Sequence, residues 1–363
     1  MAEDDLENVG LNETSTVHKA SFKTTIPAEK FLQGTDQSNS ALAKTNKNWV
    51  VIKVGDTRDL VAALHSNSVE TIVTSPPYYG HRDYGVDGQI GREPTPQAYI
   101  DNMVSVLCEC RRVLRPDGTL WLNLGDAYAK RGGGQHKPKD LIGLPWAVAV
   151  ALRDDGWYLR SEIIWVKPNA IPESVRDRPA NCHEKIFLFG KSERYFFDAE
   201  AVKVPAKNAG KTLSLGPKSL SKGQAIGAGI APSGNGLAAT YTVKATKNLR
   251  NVWANDEDKY AELCRSNAAN DNHMTDVWHI STKKFRGAHF ATFPPDLVER
   301  CIKAGAPVGG TVFDPFGGAG TTALVANRLG RNAILFEINP DYARMAYERL
   351  IDSGIDKDTI SVW

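Results

Sequence analysis

The cysteine content of this 363-residue chain argues against a metal centre and against a disulfide framework. Its five cysteines form no CxxC pair and no cysteine–histidine cluster at zinc-ligand spacing. Cys264 and His273 come nearest to such a pair, but no further ligands accompany them. We therefore predict free thiols, no catalytic metal and a cytoplasmic location.

Long apolar runs are also absent. No stretch approaches the ~20 apolar residues that a membrane-spanning helix needs, so no membrane association is expected. The acidic start, Met1 to Asp5, lacks the apolar core of a secretory signal. Hydrophobic residues make up 42% of the chain and charged residues 24%, which is typical of globular proteins. We expect one large α/β domain with an inserted or appended module.

Acidic residues are missing from one long segment. Residues 203–250 contain no Asp or Glu and are rich in Gly, Ala, Ser and Lys. The cations of this segment are Lys203, Lys207, Lys211, Lys218, Lys222, Lys244, Lys247 and Arg250. The segment is either a disordered linker or an insert that faces nucleic acid. In the second case its lysines neutralise phosphates and its glycines let the backbone approach a duplex.

The alternation of β-rich runs and helical patterns predicts the fold class. The β-rich runs are 49–54, 69–73, 119–124, 310–313 and 333–336. The helical patterns are 97–114, 144–152, 293–304 and 321–329, with a further helix that begins at Asn339-Pro340. This order predicts an α/β fold with a mostly parallel sheet covered on both faces. Three runs without an intervening helix, 157–166, 186–189 and 195–197, predict antiparallel hairpins at a sheet edge.

A glycine-rich loop follows the predicted strand 310–313. The residues from Asp314 to Thr322 read DPFGGAGTT and stand between a strand and a helix. Glycines there permit a tight turn and let a ligand touch the backbone. Glu337 closes the next strand about 20 residues after the first loop glycine, the position at which an acid binds ribose hydroxyls in dinucleotide folds.

The loop alone suits a nicotinamide cofactor, a flavin or S-adenosylmethionine (AdoMet), and its glycines can also serve helix packing only. Two details favour AdoMet, which has an amino-acid end and no phosphate. Asp314 can face an ammonium group, and the GxGxxG spacing that serves a pyrophosphate is missing.

A second motif, Ser75-Pro76-Pro77-Tyr78, follows the predicted strand 69–73. The exocyclic amine of cytosine or adenine is a weak nucleophile because its lone pair is delocalised into the ring. The Ser75 hydroxyl and the Pro76 carbonyl can accept hydrogen bonds from such an amine, and successive prolines restrict the local φ angles. Tyr78 can stack on a base flipped from the duplex. By itself the motif is equally compatible with a simple turn at the end of a strand.

Together the two motifs indicate methyl transfer from AdoMet to an exocyclic amine of a DNA base. A carbon-5 cytosine methylase needs a nucleophilic cysteine, usually in a Pro-Cys step, and no cysteine here follows a proline. Direct transfer to nitrogen is therefore favoured.

The order of the motifs resembles that of the permuted, or beta, class of DNA amino-methyltransferases, over roughly residues 49–353. In that class the catalytic motif precedes the recognition region and the AdoMet loop comes last. Further similar segments are Gly55-Asp56, residues 79–91, Ile164 to Asn169, Arg178 with His183-Glu184, and His289 to Pro294. The resemblance implies a circularly permuted Rossmann-like sheet, AdoMet as cofactor and double-stranded DNA as substrate.

The resemblance also implies site residues. The catalytic residues are Ser75, Pro76, Pro77 and Tyr78. The cofactor-binding residues are Asp56, Asp314, Phe316, Gly317, Gly318, Gly320, Thr321, Thr322 and Glu337. The DNA-binding residues are Lys167, Arg176, Arg178 and the cations of segment 203–250. Plainer interpretations stay open, since Asp56 can simply cap the next helix, His183-Glu184 can be a surface pair, and the arginines can be solvated.

Composition and the resemblance together predict a division of the chain. We expect a polar arm at 1–47, a catalytic half at 48–200, a basic target-recognition insert at 201–277 and an AdoMet-binding half at 278–363.

Ser at the first catalytic position is more usual in N4-cytosine enzymes of this family, whereas Asp or Asn is more usual in N6-adenine enzymes. We therefore predict transfer to N4 of a flipped cytosine, with N6 of adenine as the alternative. A nicotinamide oxidoreductase, a non-catalytic DNA-binding protein and a methylase of RNA or of a protein amide are the competing hypotheses. A cognate restriction endonuclease as partner, and the choice between monomer and homodimer, stay open.

Overall fold

The computed structural model describes residues 48–131, 136–167, 170, 173–205, 209–215, 239–248, 252–253 and 294–363. Some of the predictions lie outside these residues. They concern the arm at 1–47, Lys207, Lys218, Lys222, Arg250, Cys264, His273 and the segment from His289 to Phe293.

Nine of the strands in the described residues form one sheet. In chain order the strands are β1 Val50–Val54, β2 Val69–Thr74, β3 Leu114–Leu124, β4 Tyr158–Val166, β5 His183–Gly190, β6 Val204–Pro205, β7 Thr212–Leu215, β8 Ala239–Thr242, β9 Thr246–Lys247, β10 Val252–Trp253, β11 Thr311–Asp314, β12 Asn332–Glu337 and β13 Ile360–Val362. The order in the large sheet is β10-β4-β5-β3-β2-β11-β12-β1-β13.

The large sheet is mostly parallel. Strand β5 runs antiparallel to both of its neighbours, β3 and β4, whereas the other neighbouring strands of the sheet are parallel. Strand β1 lies between β12 and β13, so the first strand of the described residues pairs with the last two. This sheet, with its antiparallel pair, confirms the predicted fold class.

Six α-helices accompany the sheet in the described residues: α1 Thr57–Leu60, α2 Pro96–Val113, α3 Leu144–Asp154, α4 Pro295–Gly305, α5 Thr321–Arg328 and α6 Pro340–Asp352. Asn339 caps α6 by accepting from the Asp341 backbone N–H, and Pro340 takes the first position, as the sequence predicts. Thr95 caps α2 in the same way, with Pro96 in the first turn. None of these helices has the length and hydropathy needed to cross a membrane.

Two apolar clusters cover the two faces of the sheet. On one face α4, α5 and α6 contribute Ile302, Ala323 and Leu350 to a cluster that includes Trp121 of β3. On the other face α2 and α3 contribute residues such as Leu107 to a cluster that includes strand residues of the sheet. Each large side chain buried in this way stabilises the fold by about 2 kcal/mol. Because helices cover both faces, the ends of the strands are the part of the sheet that a ligand can reach.

The prediction of a strand at residues 195–197 is wrong. The Phe196 backbone N–H donates to the Asp117 carbonyl at 2.8 Å, and the Asp198 N–H donates to the Ala304 carbonyl at 2.9 Å. The segment is therefore bonded to a bulge and to a helix end rather than along a neighbouring strand. The Phe197 ring stacks on Trp121, with 6.3 Å between ring centroids.

Strand β3 contains an irregularity at residues 115–118. Val69 pairs with Leu114 and Thr71 pairs with Thr119, so the residues between Leu114 and Thr119 bulge from the ladder. Residues 115–117 are exposed there.

The two ends of segment 203–250 pair with each other. Strand β6 pairs with β9 through Val204 and Lys247, and β7 pairs with β8 through Thr212 and Thr242, both antiparallel. The described ends of the segment thus form short β ladders, in contrast to the linker interpretation.

Candidate active site

A cleft of about 1510 Å³ opens where β1, β2, β3, β11 and β12 end and where β5 begins. Both sequence motifs border it. The predicted site residues that line the cleft are Asp56, Ser75, Pro76, Pro77, Tyr78, Lys167, Asp314, Phe316, Gly317, Gly318, Thr321, Thr322 and Glu337. The structure therefore brings together residues that are up to about 280 positions apart in the chain.

Asp314 joins the two motifs through its carboxylate, which is 4% exposed. Its Oδ1 atom accepts from the Thr74 hydroxyl at 2.7 Å and from the Phe316 N–H at 3.0 Å. Its Oδ2 atom accepts from the Thr322 hydroxyl at 2.7 Å. Burial raises the pKa of Asp314 to about 6, although these hydrogen bonds lower it. The carboxylate thus braces the site, while its predicted contact with an ammonium group stays a prediction.

The glycines of the loop differ in what surrounds them. A Cβ atom on Gly317 would lie 2.9 Å from Leu335 Cβ, and one on Gly320 (φ +74°) would lie 2.9 Å from Ala346 Cβ. Gly318 also has positive φ, but a Cβ there would meet only one atom within 4 Å. Packing against β12 and α6 therefore accounts for Gly317 and Gly320. Gly318 instead leaves backbone open to the cleft.

Glu337 ends β12 beside the glycine loop. Its Oε2 atom accepts from the Gly318 N–H at 2.8 Å, and its Oε1 atom accepts from the Asn339 N–H at 2.9 Å. Burial raises the pKa of this carboxyl. A carboxylate oxygen can accept more than one hydrogen bond, so Glu337 retains acceptor capacity toward the cleft.

Asp56 caps α1, which is the plainer of its two interpretations. Its Oδ1 atom accepts from the Arg58 N–H at 2.9 Å, and the carboxylate also forms an ion pair with the Arg58 guanidinium, whose hydrogen bonds lower the pKa of Asp56. The same guanidinium donates to the Gly88 carbonyl at 2.7 Å. Asp56 also borders the cleft, so capping does not exclude a contact with a cofactor.

The glycine-rich segment 79–91 lines the cleft and contacts the elements that carry the glycine loop and Glu337. Asn339 Nδ2 donates to the Tyr84 carbonyl at 3.1 Å. The Tyr84 ring meets the Tyr342 ring edge-on, with 6.1 Å between centroids. Three contacts, from Arg58, Asn339 and Tyr342, therefore hold this segment in place.

The Ser75 hydroxyl belongs to a compact polar cluster. It lies 3.2 Å from the Tyr78 hydroxyl and accepts from Asn123 Nδ2 at 3.2 Å. The Tyr78 hydroxyl donates to Glu184 Oε2 at 2.7 Å, and Asn123 Nδ2 also lies 2.6 Å from the Tyr78 hydroxyl and 2.8 Å from Glu184 Oε2. We call Ser75, Tyr78, Asn123 and Glu184 the catalytic cluster.

The ring of Tyr78 packs closely against Gly125. A Cβ atom on Gly125 would lie 2.5 Å from the Tyr78 ring, so only glycine fits at that position with the ring where it is. Burial and the Glu184 carboxylate raise the pKa of Tyr78 well above its ordinary value, so the phenol keeps its proton. The Tyr99 hydroxyl donates to the Pro77 carbonyl at 3.0 Å and holds the proline turn.

Lys167 lies beside the catalytic cluster. Its ammonium group forms an ion pair with Glu184 Oε1 and lies 4.8 Å from the centroid of the Trp165 ring. The predicted DNA contact of Lys167 stays a prediction, and its observed partner is the carboxylate of the cluster.

The other described residues predicted to bind DNA do not line the cleft. Arg178 donates to Glu173 at 2.7 Å and lies 3.8 Å over the Tyr128 ring. Lys203 pairs with Glu200. Arg176, Lys211 and Lys244 are exposed, and Lys247 is partly buried in β9.

Three residues of the site, Asn123, Thr74 and Glu184, have contacts here that the sequence motifs do not indicate. A signal for Asn123 exists, because it is the one polar residue in the apolar run 120–124 and is 1% exposed. Glu184 has no comparable local signal, since its partners come from other strands. In the described part of the chain, no group of three or more His, Cys, Asp or Glu side chains could hold a metal ion.

Comparison with known proteins gives a consistent result. The sequence model of a DNA methylase family matches residues 69–348. The type II methyltransferase M.XycI of Xanthomonas campestris pv. cyanopsidis is 39% identical over 317 residues, which cover 82% of this chain and 86% of that protein. The type II methyltransferase M.SmaI of Serratia marcescens is 38% identical over 337 residues, which cover 87% and 95%.

Two solved structures share the fold. The PvuII DNA methyltransferase, described as cytosine-N4-specific, has a TM-score of 0.53 and 20% identity, covering 87% of this chain and 95% of that one. A putative DNA modification methylase of Thermus thermophilus, complexed with S-adenosyl-L-methionine, has a TM-score of 0.51 and 23% identity, covering 86% and 99%.

The match of the family model and the two close relatives confirm the family and the cofactor predicted from the motifs. The chain belongs to the AdoMet-dependent DNA amino-methyltransferases, the N4-cytosine and N6-adenine DNA methylases.

Proposed function

We propose that this enzyme transfers the methyl group of AdoMet to N4 of a cytosine flipped out of double-stranded DNA. The observation that carries the proposal is the position of the Ser75 hydroxyl. It lies on the cleft at the end of β2, within the catalytic cluster and one residue from the Thr74–Asp314 link to the cofactor loop.

The cofactor half of the cleft fits AdoMet. The open backbone at Gly318, the carboxylate of Glu337 and the ring of Phe316 border one side, and Asp56 borders it at the end of β1. Glu337 would bind ribose hydroxyls, Asp56 would lie near the adenine, and Asp314 with Thr321 and Thr322 would support the amino-acid end. When bound, AdoMet supplies an electrophilic methyl group on a positively charged sulfur.

The chain's own contribution is to hold the amine. Ser75 and the Pro76 carbonyl would accept hydrogen bonds from the two amine protons, which draws the nitrogen toward tetrahedral geometry and frees its lone pair. Such acceptors act without moving, because the Pro-Pro step and the catalytic cluster fix them in advance. Tyr78 stays neutral, so it brings no negative charge of its own to the base.

Cytosine is proposed because the acceptor is a hydroxyl. In the family that the motifs resemble, Ser at this position is more usual for N4-cytosine enzymes. One of the structures with this fold is described as cytosine-N4-specific. Transfer to N6 of adenine would use the same groups and is the alternative.

The basic residues support binding to the DNA backbone. We propose phosphate contacts for Arg176, for exposed Lys211 and Lys244 on the paired ends of segment 203–250, and for the cations of that segment outside the described residues. Residues 201–277 would then be the target-recognition insert. The names of the relatives, type II methyltransferases, support a role beside a restriction endonuclease.

The product identifies the function. Duplex DNA is incubated with the enzyme and with AdoMet that carries an isotopic label in the methyl group. The DNA is then digested to nucleosides, which are separated and identified by mass. Label in N4-methyldeoxycytidine is expected. Label in N6-methyldeoxyadenosine would overturn the choice of base, and no label in DNA under conditions that label RNA or protein would overturn the substrate class.

A further inference from the structure

The hydrogen bonds of the catalytic cluster have a fixed order of donors and acceptors. Glu184 Oε2 belongs to a carboxylate, which accepts hydrogen bonds and has no proton to donate when ionised. Its contact with the Tyr78 hydroxyl, at 2.7 Å, therefore uses the only proton of that phenol. The ammonium group of Lys167 forms an ion pair with the other carboxylate oxygen, Oε1.

The same order of donors and acceptors extends to the Ser75 hydroxyl. Because the Tyr78 proton is used toward Glu184, the 3.2 Å contact between Tyr78 and Ser75 forms only if Ser75 donates. Asn123 Nδ2, at 2.8 Å from Glu184 Oε2, must also face the carboxylate as a donor, and it lies 3.2 Å from the Ser75 oxygen. The Ser75 proton then points at the Tyr78 oxygen. At least one lone pair of the Ser75 oxygen is left for a partner in the cleft.

We propose that Glu184 is a positioning residue that fixes the direction of the hydrogen-bond chain from Ser75 through Tyr78, so that Ser75 presents a lone pair, and not a proton, to the target amine. The inference rests on the proposed function, since only a donor such as an amine benefits from an acceptor at this point. A hydroxyl can otherwise rotate and either donate or accept.

The substitution Glu184→Gln tests the direction because Lys167 orients the new amide. The ammonium group needs an acceptor, so the glutamine oxygen takes the place of Oε1 and the NH₂ group faces Tyr78. Asn123, whose Nδ2 lies 2.8 Å from Glu184 Oε2 in the wild type, must then turn its amide so that Oδ1 meets the new NH₂ group. Tyr78 accepts from the glutamine, so nothing directs the Ser75 proton toward Tyr78 any longer, and Ser75 can donate into the cleft. The size and shape of the side chain are almost unchanged.

The affinity for modified DNA measures this change without catalysis. Two duplexes are compared in the presence of S-adenosylhomocysteine. One carries cytosine at the methylated position, and the other carries uracil, which offers an acceptor where cytosine offers an amine. If the product is N6-methyladenine, adenine and hypoxanthine serve the same purpose. Relative to the wild type, Glu184→Gln should shift the ratio of the two dissociation constants about tenfold toward uracil. The single-turnover rate of methylation should fall about 100-fold.

Two variants control the experiment. Glu162 is a partly buried residue of β4 whose carboxylate accepts from Trp146 Nε1, so Glu162→Gln should change neither quantity. Tyr78→Phe removes the partner of the Ser75 hydroxyl but leaves the Glu184–Lys167 pair, so both the rate and the preference for cytosine should fall. Thermal unfolding and AdoMet affinity check each variant.

An unchanged base preference and rate in a folded Glu184→Gln protein would overturn the role of Glu184. If that variant does not fold, Tyr78→Phe decides, because wild-type rate and preference in it would equally exclude the chain. Failure of the proposed function looks different, since the wild type itself would then leave DNA unmethylated.

Discussion

The Thr74 hydroxyl donates a 2.7 Å hydrogen bond to Asp314 Oδ1, across 240 positions of sequence. Thr74 immediately precedes Ser75, and Asp314 opens the glycine-rich loop. The bond joins the end of β2 to the end of β11, so the amine half and the cofactor half of the site share one buried contact. The distance between the two reacting groups therefore depends on a hydrogen bond that neither motif reveals alone.

Removing this hydrogen bond should loosen both halves. The substitution Thr74→Val keeps the shape of the side chain but leaves Asp314 with one donor fewer, which should lower the free energy of unfolding by about 1–2 kcal/mol. It should also lower the methylation rate. Thr74→Ser retains the hydroxyl and serves as the control. Equal urea unfolding curves and rates for Thr74→Val and the wild type would show that the link has no energetic role.

Asp314 should make stability depend on pH in a defined direction. Its pKa is about 6 in the folded chain, whereas the ordinary aspartate value of 3.8 applies to the unfolded chain. Between these values the folded chain binds more protons than the unfolded chain, so the free energy of unfolding should decline as pH rises from about 4 to 6. Asp314→Asn removes this titration.

The measurement is urea unfolding without cofactor at several pH values. The stability of Asp314→Asn relative to the wild type should rise by up to about 3 kcal/mol from pH 4 to pH 6. A relative stability that is flat or falls over this range would contradict the assigned state of Asp314.

Gly320 should be required for packing as well as for its backbone conformation. Gly320→Ala places a methyl group 2.9 Å from Ala346 Cβ at φ +74°, so the expected loss of stability combines about 1 kcal/mol of backbone strain with about 1–3 kcal/mol of overpacking. Gly354→Ala provides the matched control, because Gly354 has φ +85° and open space. AdoMet affinity should fall for Gly320→Ala alone. Equal losses in the two variants would mean that the contact between α5 and α6 does not position the loop.

Much of the fold could be predicted because its signals are local. The β-rich runs before Ser75 and Asp314 and the capping residues Asn339-Pro340 each act within a few positions, and the corresponding strands and helix are present. The strand predicted at residues 195–197 is absent for the opposite reason. The backbone of this segment bonds to the carbonyls of Asp117 and Ala304 instead of to a neighbouring strand, and no local sequence pattern indicates such distant partners.

The candidate site was likewise predictable only in those features that have local sequence signals. The motifs identified the residues around the cleft, since the carboxyl ends of parallel strands meet at one edge. The hydrogen bonds among them could not be predicted, because Glu184 reaches Tyr78 only through the antiparallel placement of β5 beside β3. Asp314 is a further case, since its carboxylate braces Thr74 and Thr322 in addition to any contact with a cofactor.

The role of the Ser75 hydroxyl is tested most directly by Ser75→Ala, studied by single-turnover methylation and by calorimetric titration with AdoMet. We expect methyl transfer to DNA to fall by about 100-fold or more, with AdoMet affinity and thermal stability close to those of the wild type. Methylation at the wild-type rate in this variant would contradict the central claim that the Ser75 hydroxyl holds the target amine.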